Sequence, residues 1–232
     1  MSLAEGWGDG LPVLPPTEEA VRELVEATPY AADDVICTLA PRHGVATIEK
    51  AAINAAMAGC QPEAFGFVVA ALEAIAEPEF NLFGVSTTTS GVFPMLMVNG
   101  PSRSQLGIDM SAGCMGGAAG RGSMTIGRTV ALCMRNIGGQ KVNETSKSVF
   151  GQPARSSGLC FAEWEEQSPW PTLAEQRGFD RSEEVVTVHA GKGTMPLADV
   201  NNDDARDLVR LIAKSVAFPL GNKFLEPSPA NG

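Results

Sequence analysis

The chain has 232 residues, which is long enough for one substantial hydrophobic core or two small ones packed together. It carries 17 basic and 27 acidic residues, and the resulting net charge of -10 disfavours DNA, RNA and acidic membrane surfaces as partners. We therefore expect an acidic protein whose partner is neither a nucleic acid nor a membrane.

The sequence shows no sign of membrane insertion or export. No window offers the roughly 18 uncharged apolar residues that a membrane-spanning helix needs. The start, MSLAEGWGDGLP, lacks the basic and apolar regions of a signal peptide. We therefore expect a cytoplasmic location.

The cysteines and histidines give little support to a metal site. Five cysteines, an odd number without a CxxC pair, indicate neither a disulfide framework nor a zinc site, so we expect free thiols. His43 and His189 are the only two histidines, which excludes a multi-histidine metal centre within the chain. The sequence predicts no metal site and leaves the cofactor open.

The first third of the chain predicts three helices and one strand. A helix over residues 18–27 is capped by Thr17 and has two glutamates in its first turn. VICTLA, residues 35–40, predicts a short buried strand, and PRHG is the turn into an alanine-rich helix over residues 47–59. A second apolar helix is expected over residues 63–77, ending at a proline.

Further along, strands and helices alternate. The apolar segments 80–89 and 93–100 predict two core strands that are covered on both faces. The glycine-rich run SAGCMGGAAGRGSM leads into a predicted helix over residues 125–136. A strand over 183–190 and a helix over 203–216 complete the pattern.

This alternation predicts an α/β fold, with a layered mixed sheet covered by apolar helices. We expect a single domain over residues 1–224 and a disordered tail over residues 225–232. Two predicted helices begin with the same three-residue pattern: Thr47, Ile48 and Lys50 in one, and Thr125, Ile126 and Arg128 in the other. The match indicates either an internal pseudo-duplication or a chance similarity.

The alanine-rich helix carries three polar groups in a segment suited to burial. Lys50 and Asn54 are four residues apart and share a face, and Glu49 lies about 100° from Lys50. In one interpretation they form ion pairs that orient the helix. In the other, Lys50 and Asn54 enter a dry pocket and stabilise negative charge while Glu49 acts as a general base.

Hydroxyl groups follow the predicted strand over residues 80–89. Thr87, Thr88 and Thr89 would lie where open α/β sheets place their ligand-contacting loops, and could hold a carbonyl or carboxylate group. The alternative is a threonine-rich strand end without a ligand.

The glycine-rich run offers an anion cradle. Arg121, Ser123 and Arg128 would place two guanidinium groups and a hydroxyl near free backbone N–H groups at a helix start. The spacing matches neither a P-loop nor a clean GxGxxG, so nucleotide binding has little support. The alternative is a loop that needs glycine only for tight packing.

Two cysteines are candidate nucleophiles. Cys160 is the better one, because it precedes a carboxylate cluster that begins with Glu163, a candidate substrate contact, and the rigid SPW turn. Cys60 ends the alanine-rich helix. Free cysteines more often fill a core, and His43 in its turn is more often an idle histidine than an acid or base.

Several segments together resemble a known family. GDGLPVLPPT, ATIEKAAINAAMAGC, FNLFGVSTTT, VNGP, TIGR, RNIGG, CFAEWEEQSPW and RGF occur in the same order as in bacterial proteins grouped with the UGSC-type (seleno)protein family. The resemblance runs from about Gly8 to about Phe224. It covers only the N-terminal portion of the longer relatives, and it implies that this chain is one component of an assembly.

The sequence departs from this family in two ways. It contains no UGSC or CGSC stretch, so a selenol or thiol function located there does not carry over. It also has Gln152 where the family favours histidine, which weakens a role for that position as a base.

These features predict an enzyme, or the catalytic core subunit of one, that acts on a small carboxylated or carbonyl substrate by lyase-type or hydrolase-type acid–base chemistry. One alternative is a non-catalytic structural or ligand-binding subunit of a hetero-oligomer, and another is a thiol redox protein. In each case we expect a homo-oligomer or hetero-oligomer.

Overall fold

The computed structural model describes residues 6–115, 120–194, 197–201 and 203–217. The chain divides into two compact units, Met1–Gly193 and Thr194–Gly232, and each is described by itself. The predicted single domain over 1–224 crosses this division and stays a prediction. The predicted tail over 225–232 lies outside the described residues.

The first unit begins with a capped helix and a hairpin. Helix α1, Glu18–Glu26, starts where predicted, with the Thr17 hydroxyl accepting a hydrogen bond from the Ala20 N–H. Strands β1, Val35–Leu39, and β2, Gly44–Thr47, then pair antiparallel.

The sequence missed β2. The strand predicted at 35–40 is confirmed as β1, but its expected burial is wrong. Val35 is 63% exposed, and only Leu39 of β1 is buried. A hairpin of two strands leaves much of its surface to solvent, which explains the exposure.

The alanine-rich helix is confirmed. Helix α2, Ile48–Ala58, is capped by the Thr47 hydroxyl, which accepts from the Lys50 N–H at 3.3 Å. It ends at Gly59, whose left-handed φ of 76° favours glycine. A 3₁₀ turn, Pro62–Ala64, then leads into α3, Phe65–Ala76, which is also confirmed.

The predicted strand over residues 80–89 is wrong. The chain forms a 3₁₀ turn, Pro78–Phe80, and a short helix α4, Leu82–Thr87. The side chain of Asn81 accepts a hydrogen bond from the Gly84 N–H at 3.1 Å and caps this helix. A short apolar run suits either structure, and here the cap selects the helix.

A mixed sheet of three strands follows, and it confirms the α/β fold. The order is β4, Leu159–Ala162; β3, Phe93–Asn99; and β5, Val185–Gly191. Central strand β3 pairs parallel with β4 and antiparallel with β5. Helix α3 packs on β5, and the long helix α5, Arg121–Asn136, packs on β4 and on α2.

Helix α5 starts four residues before the predicted Thr125. The Thr125 hydroxyl donates to the Arg121 carbonyl inside the helix, whereas Thr47 is a true cap of α2. The two threonines therefore occupy different positions in their helices. The matched helix starts, on which the suggested pseudo-duplication rested, do not exist.

Three short or separate helices complete the described structure. Helices α6, Ala154–Ser157, and α7, Leu173–Gln176, have four residues each. Helix α8, Ala205–Ala217, belongs to the second unit and confirms the helix predicted there. Across the described ranges, no helix has both the length and the apolar character needed to cross a bilayer.

Backbone contact between two glycines sets how closely α5 approaches β4. Gly158 has a φ of 67°, and a Cβ there would overlap the backbone of Gly127 in α5. A Cβ at Gly127 would in turn lie 3.0 Å from the Leu159 nitrogen. The helix and the strand can meet at this distance only because both side chains are absent.

We predict that Gly158→Ala lowers the free energy of unfolding by about 3 kcal/mol or more, because left-handed strain adds to a backbone clash. Gly151 has the same φ of 67° with nothing within 4 Å of a built Cβ, so it is a matched control. Gly151→Ala should lose only about 1 kcal/mol. Urea denaturation measures both, and equal losses would contradict the contact.

Candidate functional site

The three polar groups of α2 do not share one environment. Glu49 and Lys50 are exposed, whereas Asn54 is only 4% exposed. The Lys50 Nζ donates to the Val45 carbonyl at 2.8 Å and so ties α2 to β2. The prediction that Lys50 enters a dry pocket is therefore wrong, because the first turn of α2 lies at the surface beside the hairpin.

Asn54 forms an amide pair that links distant parts of the first unit. Its Nδ2 donates to the Lys50 carbonyl at 2.9 Å, and its Oδ1 accepts from Asn136 Nδ2 at 2.7 Å. Asn136, the last residue of α5, also donates to the Trp7 carbonyl at 2.9 Å. The pair therefore connects α2, α5 and the segment that precedes α1.

A groove of about 420 Å³, here called the amide groove, opens beside this pair. It combines two amides, an indole and an ammonium group with small apolar walls, and its lining includes Trp7, Pro16, Ile53, Asn54, Met57, Asn136 and Lys141. Trp7 is 46% exposed and Lys141 is half-buried. Within the described ranges, the Lys141 ammonium has neither an ion pair nor a hydrogen bond.

A second groove of about 340 Å³, here called the carboxylate groove, adjoins the first. Glu18 and Glu49 line it together with Arg22, which pairs with Glu26 on the same helix at 3.8 Å. Both grooves share Pro16 and Ile53 as lining residues. The two neighbouring grooves along α2 are together called the α2 furrow.

The furrow brings together two of the four predicted catalytic residues. Glu49 lies in one groove and Asn54 in the other, one on each side of Ile53. The lining described for the two grooves contains neither Lys50 nor Cys160. No local pattern pointed to Lys141, because its place beside Asn54 depends on how α2 packs on α5.

The predicted anion cradle is wrong for its two arginines. The Arg121 guanidinium donates to the Gly59 carbonyl at 3.0 and 3.2 Å and so caps the end of α2. Arg128 forms a bidentate pair with Asp9 at 2.9 and 3.0 Å. Burial alone would raise the pKa of Asp9, but the hydrogen bonds from Arg128 and the Leu11 N–H outweigh it and lower that pKa.

Ser123 and the glycine-rich run also have structural roles. The Ser123 hydroxyl accepts from the Asp109 N–H at 2.7 Å, and the Asp109 carboxylate accepts from the Gly120 N–H at 2.9 Å. These bonds fix the loop against the start of α5. Residues 116–119 of the predicted cradle lie outside the described residues.

The three threonines do not follow a core strand. Thr87 ends α4 and its hydroxyl donates to the Phe83 carbonyl at 2.9 Å. The Thr88 hydroxyl accepts from the Ser90 N–H at 3.1 Å, and the Thr89 carbonyl accepts from the Val149 N–H at 2.9 Å. Their proposed place at a sheet edge is wrong because the preceding segment is helical.

The buried thiols lie in an environment that suppresses reactivity. Cys160 is 3% exposed in β4, and burial, followed by the nearby Cys60, raises its pKa to about 12. Burial also raises the pKa of Cys60 to about 11 and that of Cys133 still further. A nucleophilic thiolate at Cys160 is therefore disfavoured, although all five cysteines are free, as expected.

The sequence did not predict a buried polar network at the carboxyl ends of β3 and β4. Asn99 Nδ2 donates to Glu163 at 2.8 Å and to Glu165 at 2.9 Å. Arg103 pairs with Glu165 at 3.2 Å and with Glu166 at 2.8 Å. The polar residues of the VNGP and EWEE segments, at the ends of these strands, were the sequence feature that could have indicated the network.

This network holds loops together. Glu163, a predicted substrate contact, also accepts from the Leu173 N–H at 2.9 Å, and the carboxylate of Glu165 accepts from the Gly100 N–H at 2.9 Å. The guanidinium of Arg103 compensates the buried charge. Glu163 therefore has a structural role beside any contact with a ligand.

Comparison with known proteins gives no family assignment. Neither the protein-family models, nor the curated proteins, nor the solved structures contain a match to this chain. Among the described residues, no group of three or more histidine, cysteine or acidic side chains is placed to hold a metal ion.

We predict that one thiol of the native protein reacts quickly with a disulfide reagent at pH 8. The reactive thiol is Cys114, which is half-buried in a loop. Cys37 is also partly buried, but burial and then the charge of Glu73 raise the pKa of Cys37 to about 11. Cys114→Ser should remove the fast phase, measured by absorbance of the released thiolate. Rapid labelling of Cys160 in the folded protein would contradict this order of reactivity.

Proposed function

We propose that the protein is an enzyme, or the catalytic subunit of one, that binds a small carboxylate-bearing molecule in the α2 furrow and acts on it by acid–base chemistry. One observation carries the proposal. The Lys141 ammonium, which has no partner among the described residues, lines one groove with two amides, and the Glu49 carboxylate lines the neighbouring groove beyond Ile53.

The amide groove suits a carboxylate. Lys141 supplies a positive charge, and the half-buried position of its side chain reduces screening by water. Asn136 donates both of its amide N–H groups, to the Asn54 side chain and to the Trp7 carbonyl, so it fixes the wall of the groove and leaves the contact with the carboxylate to Lys141. The exposed face of Trp7 offers a flat apolar contact to the body of the ligand.

The carboxylate groove supplies the base. Within the described ranges, the Glu49 side chain has no hydrogen bond or ion pair, so its oxygens are free to accept a proton. A substrate anchored at Lys141 and extending over Ile53 would bring an acidic C–H or a water molecule to Glu49. Proton abstraction there is the first step of either a lyase-type or a hydrolase-type reaction.

The family resemblance fits the same location. Residues 46–60 and 135–139, two of the segments that carry it, supply Glu49, Asn54 and Asn136 to the furrow. Membership of the UGSC-type group and a cytoplasmic location are parts of this proposal. The thiol redox alternative is less favourable, because burial raises the pKa of Cys37, Cys60, Cys133 and Cys160.

One observation favours the alternative of a subunit in an oligomer. Phe150 is fully exposed at 100% and follows Val149, which is also largely exposed. Two adjacent apolar side chains in water are typical of a surface that another chain covers. Assembly is compatible with catalysis in the furrow, since neither residue lines it.

We predict that Lys141→Met weakens the binding of benzoate about tenfold or more, because a charge-assisted contact is lost. Binding is measured by titration of backbone amide resonances. The matched control is Lys147→Met, whose exposed ammonium donates to the Asn143 carbonyl outside the furrow. Equal affinity in wild type and Lys141→Met would contradict the carboxylate site.

Catalysis is tested separately from binding. In D₂O, wild-type protein should exchange the α-proton of at least one compound in a panel of small keto and hydroxy carboxylates, as followed by proton NMR. Glu49→Gln should abolish the exchange, because an amide cannot accept the proton, and should leave benzoate affinity within about twofold. Binding without exchange in wild type would instead support a non-catalytic binding subunit.

The oligomer is tested by light scattering after size-exclusion chromatography. We expect the wild-type chain to elute at a multiple of its monomer mass, and the double variant Val149→Ser, Phe150→Ser to shift toward the monomer because the apolar contact is removed. A monomeric wild-type chain at concentrations of about 100 μM would contradict a homomeric interface.

A further inference from the structure

A third and larger groove of about 610 Å³, here called the α3 groove, lies in the first unit. It opens between α3, the loop after α1 and the edge of the sheet at β5, and its lining includes Tyr30, Glu63, Gly66, Phe67, Glu73, Ser102, Glu184 and Val186. It shares no described lining residue with the α2 furrow.

The groove has an apolar wall and an open floor. The exposed ring of Tyr30 and the half-buried Val186 contribute most of the apolar surface, and Phe67 and Val69, which are 7% and 4% exposed, contribute only the edges of their side chains. Gly66 lies in the first turn of α3, has an ordinary helical φ, and a Cβ there would meet nothing within 4 Å. Packing does not require a glycine at this position, where it weakens the helix relative to alanine. Its effect is to leave room in the groove.

The charge around this apolar wall has a single sign. Glu63, Glu73 and Glu184 line the groove, and its described lining contains no lysine, arginine or histidine. The Glu184 carboxylate is held in place, since one oxygen accepts from the Ser102 N–H at 2.9 Å and also from the Ser102 hydroxyl. A carboxylate that is already oriented loses little freedom when it binds a cation.

We propose that the α3 groove binds a second small ligand, a protonated amine on an apolar body. Its apolar part lies against Tyr30, Val186 and the edge of Phe67, and its ammonium pairs with Glu73 and Glu184. The combination excludes the other simple ligand types. An anion would be repelled by three carboxylates, and a neutral apolar molecule would gain no charge pairing from them.

The site differs in charge preference from the α2 furrow, so the two proposals are independent. A carboxylate should bind where Lys141 lies, and an amine where the three glutamates lie. If a variant loses binding of the amine, binding of the carboxylate can still be measured in the same sample, and the reverse also holds.

The test uses hexylamine, which is protonated at pH 7, with hexanol and hexanoate as probes of the same chain length. Backbone amide resonances of Gly66, Ser102 and Val186 report on the groove. We expect saturable shifts with hexylamine, affinity about tenfold or more weaker for hexanol, and no shifts at these residues with hexanoate. Equal affinity for hexylamine and hexanol, or no binding by hexylamine, would overturn the proposal.

Two variants test the charged part of the site. Glu73→Gln and Glu184→Gln should each weaken hexylamine binding about threefold or more, because one charge pair is lost. Glu79→Gln is the matched control, since this glutamate is exposed and lies outside the groove. Unchanged affinity in both groove variants would refute the charge pairing.

Gly66→Leu tests the apolar part. Leucine favours a helix and should fill the open floor, so hexylamine binding is lost while the thermal midpoint is kept or raised. Benzoate binding at the α2 furrow should stay unchanged in this variant and shows that the fold is intact. Hexylamine affinity equal to that of wild type in Gly66→Leu would contradict the placement of the ligand.

Discussion

The hydrogen bond between Asn54 and Asn136 joins residues that are 82 positions apart and sets the geometry of the α2 furrow. Asn54 is buried on α2 and its amide is satisfied by the Lys50 carbonyl and by Asn136. A buried amide without partners is unfavourable, so α2 and α5 must keep the register that pairs them. The position of Trp7 follows, because Asn136 also binds its carbonyl.

Local sequence signals predicted the helices whose ends are chemically marked. Thr47 and Gly59 delimit α2 through a side-chain cap and a left-handed residue, and both are readable without the fold. The segment 80–89 misled because its apolar run suits a strand or a helix, and the cap at Asn81 decided between them. Strand β2 was missed because four residues between a turn and a cap carry little pattern.

The candidate site was less predictable, since it depends on contacts between distant residues. Helical spacing placed Asn54 on a buried face, but nothing local showed that Lys50 would bond to Val45 or that Lys141 would approach instead. Likewise, two arginines near a glycine run suggest an anion site, whereas packing commits Arg121 to Gly59 and Arg128 to Asp9. Residue type indicates what a side chain can bind, and the fold determines its partner.

The two ends of the amide groove have a consequence for how the protein is made. Trp7 and Lys141 both line it, so the groove needs residues from the first tenth of the chain and from well beyond its middle. During synthesis, the segment around Trp7 emerges early and must wait until α5 and Lys141 have left the ribosome. A nascent chain shorter than this lacks the wall of the amide groove that Asn136 and Lys141 form, so this groove is completed only late in translation.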